Sequence, residues 1–206
     1  DKPSWVPPFL WSVSLKLIRI AIVIAVIWYT IFFLLIISGN LAYGSWNYRI
    51  TVEVETPEGI MTGSTVRKVF MSKSLAFLGA SNDGNITEVI GEAVVIDLGE
   101  RGHVFGLITW SSYREMLDAF PLPRTRGRVD EIKMLKKMLK PGKKAEVSKD
   151  YIRMSAFVNM DDPRSIKMIK GSKLNIETQK REKVDNFEDV FGEGVRLHKI
   201  TVEITD

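Results

Sequence analysis

From Ile20 to Ile37 the chain runs without a charge, and Thr30 is the only residue there that is neither apolar nor aromatic. No other feature constrains the fold as much. Eighteen residues in this run rise about 27 Å as an α-helix, close to the ~30 Å hydrocarbon core of a bilayer. A helix satisfies its own amides and carbonyls, which lipid cannot do for it. Arg19 stands one residue outside the run, within reach of headgroups, and Ser38, Gly39 and Asn40 supply a helix stop. The run therefore predicts a transmembrane helix over residues 17–39, with a flank at 1–16 and an extramembrane domain at 45–206. A cleaved signal sequence competes with this. Its apolar core is ordinarily about 7–15 residues and ends at a small-x-small site. Here bulky side chains continue to Ile37, behind a Pro-rich, Trp-bearing segment, which favours an anchor.

Lys2, Lys16 and Arg19 precede the helix, and only Arg49 follows it closely. Basic residues stay on the cytoplasmic side, so the N-terminus is expected in the cytoplasm and the domain across the membrane. In a bacterium that means the inner membrane and the periplasm. Trp5 and Trp11 on one side, and Tyr43, Trp46 and Tyr48 on the other, suit interfacial aromatic belts. Trp28 falls mid-span, where belts do not place it. Ala21, Ala25, Trp28 and Phe32 share one helical face. Two readings stay open: the rings simply dissolve in lipid, or the small residues admit an integral membrane partner against which Trp28 packs.

Beyond the anchor the pattern is α+β, a mostly antiparallel sheet domain with a few short helices. Tyr48, Ile50, Val52 and Val54 alternate with Arg49, Thr51, Glu53 and Glu55, a half-buried strand. Thr56-Pro57-Glu58-Gly59 makes a turn into a returning strand over Met61–Met71, expected to be irregular at Gly63. Asn82-Asp83-Gly84-Asn85 is another turn. Ala93-Val94-Val95-Ile96 is unbroken and apolar, as in a strand buried on both faces. Gly99–Gly102 then hands over to a hairpin strand from His103. Ser112 and Glu115 fit a capping box for a short helix ending at Pro121. Ile132, Leu135 and Leu139 recur at helical spacing. A strand near Tyr151–Val158 comes next, followed by a brief helix opened by Asp162-Pro163 and closed by Gly171. A polar loop to Asp185, a turn of helix at Phe187–Phe191 and a last strand over Val195–Ile204 complete the pattern. The pentapeptides Arg49-Ile50-Thr51-Val52-Glu53 and Lys199-Ile200-Thr201-Val202-Glu203 are nearly alike, which suggests similar surroundings in one sheet.

Chemistry is sparse. There is no cysteine, which excludes disulfides, thiolate metal sites and a cysteine nucleophile. His103 and His198 are the only histidines, too few for a histidine-rich metal centre. His103, Asp97 and a serine form a triad only on paper, because no G-x-S-x-G elbow exists. A calcium loop around Gly84 would take its first and twelfth ligands from Gly79 and Ile90, which have no oxygen to offer by side chain. Gly99-Glu100-Arg101-Gly102 lacks the Lys-Ser/Thr of a phosphate loop. No cofactor and no catalytic residue are expected.

One segment stands out by charge. Arg124–Lys149 holds ten basic and three acidic residues, an excess of seven in a chain whose net charge is +4. Arg124, Arg126, Arg128, Lys133, Lys136, Lys137 and Lys140 are its candidate contacts for anionic lipid headgroups or an acidic partner. The commoner fate of such a pattern is a solvated helix packed on its own sheet. Nucleic acid is disfavoured, because no aromatic residues interleave these charges to stack on bases.

The segments TPEGIMTGSTVRKV, GEAVVIDLG and FGEGVRLHKITVEITD resemble an uncharacterised family of bacterial envelope proteins. The likeness covers most of the domain but not the anchor, and it rests on turns and strands. It implies a bacterial membrane setting and transfers no functional residue. Together these features point to a membrane-anchored, non-catalytic accessory or scaffolding subunit. The alternatives are a membrane-tethered envelope enzyme and a lipid-surface or ligand-binding domain.

Overall fold

The computed structural model describes residues 8–73, 84–159, 161–174 and 180–206. It divides into two units, Asp1–Leu41 and Ala42–Asp206. The first is helix α1, Pro8–Asn40. Its apolar window, Lys16–Leu34, is 19 residues long, long and apolar enough to be a membrane anchor or a signal sequence. The helix starts inside the segment expected to be a flank. Proline is tolerated in a first turn, where its missing N–H is not needed, and the residues after Pro8 continue the helical pattern. The stop at Asn40 is as expected. Trp5 lies outside the described residues, as does the side chain of Trp11.

The second unit is α+β: two antiparallel five-stranded sheets with short helices around one apolar core. Strands β1 (Ala42–Thr56) and β2 (Gly59–Lys73) form a long hairpin. Pro57 and Glu58 are its two turn residues. Gly59 takes φ 132°, a value side chains resist, and the Thr56 hydroxyl donates to the Gly59 carbonyl at 2.8 Å. Pairing runs unbroken from Thr56↔Gly59 to Ala42↔Lys73. Two expectations fail here. Trp46 and Tyr48 do not belong to an interfacial belt: inward alternation continues back from Ile50, and they are 8% and 0% exposed in the domain core. Nor is β2 irregular at Gly63. The glycine is there because another strand passes over it, and a Cβ would lie 2.2 Å from the Val95 carbonyl oxygen.

The first sheet has the order β3-β2-β1-β10-β6, with β3 Asn85–Gly91, β6 Lys144–Glu146 and β10 Arg196–Thr205. The matching pentapeptides are direct neighbours in it, with Thr51 opposite Thr201 and Ile50 opposite Val202. Antiparallel pairing about that central threonine pair puts like residues in like surroundings. The second sheet has the order β4-β5-β7-β8-β9. Its strands are β4 (Val94–Asp97), β5 (His103–Gly106), β7 (Met154–Phe157), β8 (Ile166–Leu174) and β9 (Arg181–Asp185). Strand β4 is not buried on both faces. It is an edge strand, with Val94 and Ile96 inward at 0% and Val95 outward at 47%.

Among the described residues three α-helices pack on these sheets: α2 (Tyr113–Ala119), α3 (Arg128–Met138) and α4 (Phe187–Phe191). Ile132, Leu135 and Leu139 are buried as their spacing predicts, and α3 lies against β1 and β2. The capping box at α2 does not form: Ser112 has helical dihedrals and makes no side-chain cap. Glu115 is drawn into the core instead. The helix expected to end at Gly171 is a single turn, Pro163–Ser165, capped by Asp162 accepting from the Arg164 amide at 2.9 Å. Ile166 already begins β8. Part of the expected polar loop is likewise strand, because β9 pairs with β8 through Lys170↔Asp185 to Leu174↔Arg181. Residues 175–179 of that loop, and the turn at Asn82-Asp83, lie outside the described residues.

Candidate functional site

On α1, Trp28 is 71% and Phe32 58% exposed, and Ala21 and Ala25 are exposed on the same face. The basic segment divides by environment. Arg124, Arg126, Lys133, Lys136, Lys137 and Lys140 are exposed. Lys136 sits over the ring of Tyr43, its nitrogen 4.7 Å from the centroid. Arg128 is half-buried and engaged through both of its terminal nitrogens. It pairs with Glu131 at 2.9 Å, donates to the Ile86 carbonyl at 3.2 Å and reaches the Thr87 hydroxyl. It fastens α3 to β3.

His103 and His198 are apart and partly exposed, beside Asp97 at 3.7 Å and Glu55 at 3.5 Å respectively. Neither lines a described cavity. Among the described residues no three histidine or carboxylate side chains gather in the manner of a metal site.

Two polar arrangements were not anticipated. The first is buried. Arg67 points inward from β2, opposite Tyr48, and is 0% exposed. One guanidinium nitrogen donates to both Glu115 oxygens at 3.0 and 2.8 Å, the other to the Gly106 carbonyl at 2.9 Å. Nε donates to the Glu92 carbonyl at 3.3 Å, and the Tyr48 hydroxyl donates to Glu115 at 3.1 Å. Both sheets and α2 thus meet at one side chain. Burial pushes the Glu115 carboxyl above its ordinary range, opposed by Arg67; burial together with the Glu115 charge pushes the Tyr48 phenol far up. With no access to solvent, this cluster holds the fold together. Its signal was in the sequence: register carried back from the Pro57-Glu58 turn puts Arg67 opposite Tyr48, on the inward face.

The second is open. A cleft of about 480 Å³ lies between the start of α2 with the residues before it, the segment preceding β7, and the paired strands β8 and β9. Six cations line it, Arg114, Lys149, Arg153, Lys170, Arg181 and Lys183, against two carboxylates. Those carboxylates are engaged, Asp185 by Lys170 and Asp150 by Lys183 at 2.7 Å. Lys183 holds Asp150 below its ordinary range through that hydrogen bond. Among the described residues Arg114, Lys149, Arg153 and Arg181 have no acidic partner. Trp110, 76% exposed, forms part of the wall, and the Arg114 guanidinium lies 6.0 Å from its ring centroid. Only Lys149 belongs also to the basic segment read from the sequence.

No known protein family, curated protein or solved structure matches this chain.

Proposed function

We propose that this chain is a single-pass, membrane-anchored accessory subunit that works by binding within a bacterial inner-membrane assembly. One observation carries the reading: a 33-residue helix whose apolar window, Lys16–Leu34, contains no buried residue. So much contiguous apolar surface is untenable in water and calls for lipid or another span. Its length and bulk favour a permanent anchor over a cleaved signal. Lys16 and Arg19 at its start favour a cytoplasmic N-terminus and a periplasmic domain.

The partner is an integral membrane protein that packs on Ala21, Ala25, Trp28 and Phe32. Two alanines allow close backbone approach, and the rings supply contact area. The six exposed basic residues from Arg124 to Lys140 serve anionic headgroups or an acidic surface of that partner. Arg128 is excluded from this role by its engagement with β3.

Ala25→Leu keeps the helix soluble in the membrane and adds bulk at the point of approach; Ile24→Leu is the control on another face. Membrane insertion should stay equal, while the amount of partner co-purifying in mild detergent falls only for Ala25→Leu. Retention of every associated protein by both variants would leave the helix as an anchor alone. Protease added to spheroplasts should remove the domain; protection until lysis would reverse the orientation.

A further inference from the structure

The cleft beside Trp110 is the part of the domain equipped to hold a ligand, and we infer that it binds a multivalent phosphate group. This deepens the binding role proposed above and does not depend on which protein, if any, meets the helix. Three segments distant in sequence converge on it, around Trp110–Arg114, Lys149–Arg153 and Lys170–Asp185. Their cations outnumber their carboxylates by four, which equals the net charge of the whole chain. Like charges crowded into a concavity repel one another, and both lining carboxylates are already committed to Lys170 and Lys183. Walls of low dielectric focus the remaining field into the cavity, where an anion gains most.

The donor set selects the anion. Arg114, Arg153 and Arg181 present planar forks of N–H donors, which match the paired oxygens of phosphate better than a lysine can. Ser111 and Ser172 add hydroxyl donors to the lining. A monocarboxylate neutralises only one of four surplus charges, whereas a diphosphate or two neighbouring phosphates come close to matching them. Gly171, at φ 146°, brings bare backbone to the wall, and a Cβ there would touch the Arg153 stem at 3.5 Å. Trp110, exposed beside the cations, supplies a flat apolar face for whatever carries the phosphate. The volume, about 480 Å³, is that of a small-ligand site. The same chemistry comes from a soluble compound with two phosphates or from a phospholipid headgroup that carries two.

Calorimetric titration of the full chain in dodecyl maltoside micelles, which contain no phosphate, tests the proposal. The two probes are inorganic pyrophosphate and a short-chain cardiolipin, whose headgroup carries two neighbouring phosphates. At least one should bind with a submillimolar Kd that weakens as salt is raised. Arg153→Gln and Arg181→Gln should each lower affinity about tenfold, the loss expected for one charge-assisted contact. Arg181 is exposed, so its change reports binding without disturbing the core. Arg164→Gln removes an exposed cation that does not line the cleft and should leave affinity unchanged. Tighter pyrophosphate binding assigns a soluble ligand, and tighter phospholipid binding assigns a headgroup. The proposal is overturned if neither probe binds at millimolar concentration or if Arg181→Gln has no effect. It also falls if Arg164→Gln weakens binding as much as Arg181→Gln, since binding would then follow overall charge alone. None of these outcomes bears on the Ala25 comparison in the helix.

Discussion

Arg67 and Arg181 carry the same guanidinium under opposite conditions. Arg67 is sealed from solvent, and its three nitrogens all donate, to Glu115 and to the Gly106 and Glu92 carbonyls. Arg181 stands exposed at the rim of a cleft with no acidic partner among the described residues. A buried charge persists only where every donor is satisfied, so Arg67 has nothing left for a ligand and instead specifies how the sheets and α2 meet. An exposed charge faces no such demand. Its surplus is tolerated by solvent and stays available, which is why the two clusters divide the work of holding the fold and of meeting a ligand.

The largest expected effect falls on the buried side. Arg67→Met leaves the Glu115 carboxylate without its guanidinium and should cost about 3–5 kcal/mol, read from urea unfolding at pH 8. The loss should depend on pH. Without the downward pull of Arg67, burial raises the folded-state pKa of Glu115 further above its ordinary 4.5, so the folded variant keeps a proton that the unfolded chain gives up. The contribution of that group is fully present below the unfolded pKa and is lost as pH rises. The gap between Arg67→Met and the parent should therefore widen from pH 5 to pH 8. A gap that narrows instead would mean that Glu115 ionises freely and is not enclosed.

A smaller effect separates the charge from its enclosure. The pair Arg67→Met with Glu115→Leu removes both charges, fills similar volume and should recover most of the loss. About 1 kcal/mol should remain, because Tyr48 then keeps only the distant Ser112 carbonyl at 3.5 Å as an acceptor. If the double variant is as unstable as Arg67→Met alone, packing and not the ion pair explains the cluster.

The smallest effect belongs to an exposed pair. Arg196 donates to Glu55 at 2.9 and 3.0 Å and holds that carboxyl below its ordinary range. Solvent screens both partners, so Arg196→Gln should leave the urea midpoint unchanged within error. A clear drop would show that surface pairs contribute more here than burial predicts, and would blunt the contrast with Arg67.

Much of the fold was legible because its signals are local. Alternation from Tyr48 to Val54 placed one face of β1 inward, and Pro57-Glu58-Gly59 turned the chain. Ile132, Leu135 and Leu139 marked the buried stripe of α3. The errors came where a residue answered to something outside its own segment. Ser112 and Glu115 have capping-box spacing, yet a buried guanidinium outweighs a cap worth about 1 kcal/mol. Trp46 and Tyr48 looked interfacial by distance from the helix, and alternation carried them into the core. Val95 belongs to an unbroken apolar run, but β4 lies at a sheet edge and leaves it half in water.

The sequence by itself determined the apolar helix, the long hairpin and the inward faces of the main strands, since periods of 2 and 3.6 residues and turn chemistry are written between near neighbours. Tertiary structure alone decided that Gly63 lies under the Val95 carbonyl and that Glu115 serves Arg67. It also gathered Arg114, Arg153 and Arg181 around one cavity. Charge density in a chain is summed along its length, whereas a ligand meets charge summed over a few ångströms of space. Only the packing of three distant segments converts the first into the second.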